Sequence, residues 1–131
     1  MKVSSGHIIF DDKIKWKNLL NVFPELMDLF FTETNQLMED PDNISTIIEM
    51  NLIDLRNNRK PIGFSTNAKI KMIFPIDEKK SLYFHCGFLN EDVYVITEKV
   101  SKFLASKGIK HDVEWDKLIL YQLKKKKRRS S

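Results

Sequence analysis

Six consecutive cations, Lys124, Lys125, Lys126, Lys127, Arg128 and Arg129, stand close to the C-terminus. Burying even one unpaired charge costs several kcal/mol, so this run belongs in water or against an anion. Contiguous Lys and Arg neutralise phosphates and release their counterions without reading sequence. The same composition fits a nuclear import signal if the host is eukaryotic. A solubilising terminus with no dedicated partner is the competing reading. The formal charge of the chain is +4, and it falls to −2 without these six residues. The chain therefore reads as a mildly acidic domain carrying a basic tail at 124–131. The tail's expected partner is nucleic acid or another polyanion.

A second set of cations lies inside the domain. In Lys69-Ile70-Lys71-Met72 charge and apolar character alternate, and Lys79 and Lys80 follow closely. Period two puts Lys69 and Lys71 on one face of a strand and Ile70 and Met72 on the other. Tyr83 and Phe84 follow, and alternation turns one of the two outward. Cations beside exposed rings are what single-stranded nucleic acid binders use. An ordinary solvated sheet face, with lysines protecting an edge, is the plainer explanation. Trp115 and Tyr121 could form a further stacking platform or simply pack as cross-strand partners.

Acids supply the third pattern. Glu39, Asp40 and Asp42 sit within a run of carboxylates over residues 33–54, and residues 1–60 carry net −3. An acidic face can dock on a basic protein and mask it. This gives an alternative function, an inhibitor or immunity-type protein, in which the tail is incidental. Helix capping and ordinary surface charge explain the same residues.

Covalent chemistry has thin support. Cys86 stands beside His85, and His111 precedes Asp112. A thiol nucleophile needs a base within hydrogen-bond reach, but neighbours on a strand point to opposite faces. His111 would have to reach Cys86 through the fold. An enzyme using Cys86 or His111 is the second alternative. One cysteine and three scattered histidines give no metal-ligand spacing, and no glycine-rich phosphate loop occurs. No cofactor is expected.

The elements that must position these residues follow from the apolar periodicity. At 131 residues and 42% hydrophobic composition, one compact domain over 1–123 is expected. One cysteine and no signal-peptide core point to an intracellular protein, nuclear in a eukaryote. No apolar run approaches the ~18 residues of a membrane span. Gly6 to Phe10 reads as a short strand or an extended lead-in. Trp16, Leu19, Leu20, Phe23, Met27 and Phe30 mark a helical face, with Pro24 either kinking one helix or opening a second. Ile44, Ile47, Ile48, Leu52 and Leu55 mark another helix. Strands are expected at 69–74 and 81–88. A helix capped by Asn90 and closed at Gly108 follows. Two further strands, 111–115 and 118–123, are expected around Asp116 and Lys117. The expected fold is α+β: a helical N-terminal half, then β-β-α-β-β, with helices on one face of an antiparallel sheet. A protein partner is expected, and a sheet edge near 118–123 could pair strands between subunits.

Overall fold

A computed structural model describes residues 1–34, 41–64 and 69–118. The order of elements is β1 (Val3–Phe10), a 3-10 turn (Trp16–Leu19), α1 (Phe23–Thr34), α2 (Pro41–Arg56), β2 (Lys71–Ile73), β3 (Ser81–Asn90), α3 (Glu91–Ser106) and β4 (His111–Trp115). The four strands form one antiparallel sheet in the order β2-β3-β1-β4. Two β-helix-β units are interleaved, which is the split βαβ arrangement. The class is α+β.

The expectation of a helical N-terminal half is corrected at its first element. β1 is a strand, and it is central, paired with β3 on one side and β4 on the other. After Val3 come Ser4, Ser5, Gly6 and His7, which carry little apolar signal. Ser5, Gly6 and His7 are nevertheless buried, which a strand paired on both sides tolerates because its backbone hydrogen bonds are met within the sheet. The second correction lies after β4. Asp116 adopts a positive φ of 54°, and Lys117 and Leu118 are helical. No strand therefore begins at Leu118, and the rest of the expected strand lies outside the described residues.

Pro24 sits in the first turn of α1, where its missing N–H costs nothing. Pro41 opens α2 in the same way, which places Asp42 in the first turn rather than at the cap. Asn90 caps α3 as its sequence predicts: its Oδ1 accepts from Asp92 N–H at 2.6 Å. Gly108 takes the left-handed position after α3, with φ 76°.

The core lies between the sheet and the helices. Ile8 and Phe10 of β1, Met72 of β2 and Leu82, Phe84 and Cys86 of β3 are buried there. Phe30 of α1 stacks on Phe84 with ring centroids 5.6 Å apart, and Phe31 meets Phe64 edge-on at 4.9 Å. Val93, Ile96, Val100 and Leu104 form the buried stripe of α3. Burying each such side chain contributes about 1.5–3 kcal/mol. Among the described residues no helix is long and apolar enough to cross a membrane.

Candidate nucleic-acid interface

Strand alternation sorts the remaining sheet side chains onto the face away from the helices. The registers line them up in rows. Lys71, His85 and Ser5 form one row, and Ile73, Tyr83, His7 and Glu114 form the next. Ser81, Ile9 and Asp112 form the third. Helices α1 and α3 pack on the other face, while the helical residue Lys117 stands on this one, and Ser5, His7 and Ser81 are buried here. Its central strands, β1 and β3, carry the rings.

His7 stacks on Tyr83 with centroids 5.0 Å apart and planes inclined at 29°. Tyr83 meets His85 edge-on at 6.4 Å. His7 is buried, and its Nε2 shares a 2.8 Å hydrogen bond with Ser5 Oγ. Tyr83 and His85 are half-buried. Burial pushes the His7 imidazole down to about 4, helped by the Lys117 ammonium and opposed by the carboxylates of Glu114 and Asp116. Burial, then the Lys71 cation, lowers His85 as well. Burial raises the Tyr83 phenol. All three rings are therefore neutral at neutral pH, and they form an uncharged aromatic platform beside Lys71.

The lysines singled out by the sequence divide into two places. Lys71 is half-buried and lies opposite His85, with Lys69 exposed just before the strand. Lys79 is exposed and Lys80 half-buried on the β2–β3 turn. That turn joins β3 at Ser81, four residues or about 13 Å of strand from His85. Lys79 lines a shallow recess of about 270 Å³ together with Asp77, Glu78, Asp112, Glu114 and Lys117. The four lysines are not one basic patch. This sheet face is basic toward the start of β2 and acidic along β4, and the β2–β3 turn balances Asp77 and Glu78 against Lys79 and Lys80.

The other candidates fare differently. Lys124 to Arg129, Glu39, Asp40 and Tyr121 lie outside the described residues. Asp42 is exposed, and its carbonyl accepts from Thr46 Oγ1. Several neighbouring acids already hold cations of this chain. Glu33 pairs with Lys99 at 2.7 Å, Glu49 with Arg56 at 3.1 Å and Asp54 with Arg59 at 3.2 Å. Trp115 is half-buried and packs on Tyr94 at 5.0 Å on the helix side, away from the face that carries Tyr83.

Cys86 is buried among the helix-facing side chains, 3.9 Å from Asn90 Nδ2. His85 points to the opposite face. His111 sits at the other end of the sheet on an edge strand, with Nδ1 on Ile109 O at 2.8 Å and Nε2 on Ser101 Oγ at 2.7 Å. The fold does not bring Cys86 and His111 together. Among the described residues no group of three or more His, Cys, Asp or Glu is placed to hold a metal ion.

His7 is the residue that sequence reading passed over. The signal was present in Gly6-His7-Ile8-Ile9-Phe10: if Ile8 and Phe10 face the core, His7 must face away. The chain matches no family model, no curated protein and no solved structure.

Proposed function

We propose that this protein binds single-stranded nucleic acid on the face of its sheet opposite α1 and α3. Unstacked bases lie on Tyr83 and His85. Lys71 and Lys69 hold the adjoining phosphates, and Lys124 to Arg129 add sequence-independent attraction. The observation that carries the reading is the ring cluster on the two central strands next to Lys71, with His7 stacked on Tyr83 and His85 meeting Tyr83 edge-on. A four-stranded sheet with rings on its central strands is a known platform for two or three bases, an analogy of architecture and not of descent. The carboxylates of Asp112 and Glu114 disfavour phosphates over β4, so the strand is directed toward the β2 side.

The tail can serve the same face. Lys117 lines the recess on that face, and Lys124 is seven residues further along, at most about 25 Å of chain. In a eukaryotic host the tail would also suit import into the nucleus. The masking of a basic partner by the acidic helical half has less support, because Glu33, Glu49 and Asp54 are paired internally.

The test is fluorescence anisotropy of labelled single-stranded RNA and DNA and of duplexes, at low and moderate salt. The full chain, a 1–123 truncation and Tyr83→Ala are compared. The expected result is a preference for single strands and a loss of roughly tenfold in Tyr83→Ala, within the range for one stacked base. The truncation should flatten the salt dependence. Identical binding by Tyr83→Ala and the parent would remove the sheet face from the reading. No binding of any oligonucleotide would discard the reading altogether.

A further inference from the structure

β4 is an edge strand of the sheet, and its hydrogen-bond parity is fixed at both ends. Asp11 N–H donates to Lys110 O at 3.0 Å, and Asp116 N–H donates to Ser5 O at 3.0 Å. Closely bonded pairs recur at every second residue of an antiparallel ladder. Asp112, opposite Ile9, and Glu114, opposite His7, therefore direct their N–H and C=O groups at β1. His111, Val113 and Trp115 direct theirs outward. Among the described residues nothing bonds those outward backbone groups.

The side chains of β4 are sorted just as sharply. His111, Val113 and Trp115 are half-buried on the helix side. Asp112 and Glu114 are exposed on the other face, and Glu114 holds only Lys117, at 2.9 Å. This arrangement rejects a second copy of the same strand. Antiparallel self-pairing centred on Val113 would set Asp112 directly against Glu114 twice, and opposed like charges destabilise a ladder. A strand alternating cations with apolar residues meets no such penalty. Its cations would face Asp112 and Glu114, and its apolar side chains would extend the half-buried row of Val113 and Trp115.

We propose that the β4 edge is a docking site for an extended segment of a partner protein in which Lys or Arg alternates with apolar residues. The segment adds as a fifth strand. Its main chain bonds the outward groups of His111, Val113 and Trp115, and the carboxylates choose its charge pattern. This is strand addition at an exposed edge. Its main-chain bonds lie on the flank of the sheet, while the carboxylates that select it stand on the same face as the rings.

The test titrates the full-length protein with a synthetic hexapeptide alternating lysine and valine, and with its glutamate counterpart, following backbone amides by NMR. Two variants are compared. Val113→Pro removes an outward N–H without breaking a bond to β1, the one setting where an edge strand tolerates proline. Asp112→Lys with Glu114→Lys reverses the exposed charges. The lysine peptide should shift the amides of His111, Val113 and Trp115. Its affinity should fall about tenfold in Val113→Pro, on the scale of one lost main-chain hydrogen bond. The charge-reversed protein should prefer the glutamate peptide. Equal binding by the parent and Val113→Pro would overturn the proposal. So would an unchanged peptide preference after charge reversal, or a β4-mediated homodimer. Should Val113→Pro fail to fold, the charge-reversed protein decides alone.

Discussion

Gly6 of β1 and Thr97 of α3 touch where the helix crosses the sheet. A Cβ on Gly6 would lie 2.0 Å from Thr97 Oγ1 and 2.8 Å from its Cβ and Cγ2. Thr97 is itself fully buried, and its hydroxyl is tied to Val93 O at 2.7 Å. The helix can lie this close to the central strand only because Gly6 has no side chain. Gly6→Ala should therefore push α3 off the sheet and cost about 1–3 kcal/mol, the usual range for overpacking. Thermal melts of Gly6→Ala, Thr97→Ala and the double variant check this. The double variant should be more stable than the sum of its parts implies, because shortening Thr97 removes the closest contact. Strict additivity would show that the two residues are not coupled.

Asn51 fastens α2 to the loop that leads into the sheet. It is fully buried, its Oδ1 accepts from Gly63 N–H at 2.7 Å, and its Nδ2 donates to Gly63 O at 3.2 Å and Ile47 O at 2.8 Å. Gly63 has φ 78°, and a Cβ there would meet Met72 O at 2.4 Å. Asn51→Leu has similar volume but strands the Gly63 N–H and C=O away from water. The expected cost is about 1–3 kcal/mol, read by urea unfolding. The cleavage rate of the loop at 57–64 by a broad-specificity protease should rise with it. A Leu variant as stable as the parent would show that the pair is dispensable.

The legibility of this fold in its sequence follows the range of the interactions. α3 was readable from end to end, because its cap at Asn90, its apolar stripe and Gly108 are all local. Lys71 and Met72 alternated as expected, and the structure turns Tyr83 outward and Phe84 inward. β1 was only half readable. Its place between β3 and β4 rests on pairing with residues some eighty and a hundred positions away, which no local period encodes. The aromatic face is a product of that pairing. His7 becomes part of it only once Tyr83 is set beside it.

The His7 imidazole gives the fold an acid limb. Its proton affinity is lowered from the usual 6.5 to about 4 by burial and by Lys117. Between those values the unfolded chain binds the proton and the folded chain does not. Stability is complete above pH 6.5 and falls as pH drops. His7 alone accounts for a loss of about 2 kcal/mol by pH 5 and about 3 kcal/mol near pH 4. The window from 6.5 to 5 is diagnostic, because ordinary carboxylates titrate below it. Urea unfolding at steps of pH should show this slope. His7→Phe should flatten it, whatever it does to stability at pH 7, with His85 leaving a smaller residue in the same direction. An unchanged slope in His7→Phe would place the acid sensitivity elsewhere.

The second histidine should couple binding to pH. His85 is neutral at pH 7, because burial and the neighbouring Lys71 hold its proton affinity below the usual 6.5. A polyanion laid across Lys71 reverses the second of these effects and favours the imidazolium. Binding of a single strand should therefore take up a proton and strengthen as pH falls below about 6.5. The limiting slope is about tenfold per pH unit if one proton is taken up. Anisotropy titrations at fixed ionic strength measure it. His85→Gln cannot titrate and gives up the stacking ring, so it should bind more weakly than the parent at pH 7.5 and show none of the parent's gain as pH falls. Lys71→Met should weaken binding at every pH while leaving His85 easier to protonate. A parent protein whose affinity is flat between pH 7.5 and 5.5 would mean that the nucleic acid does not pass over His85.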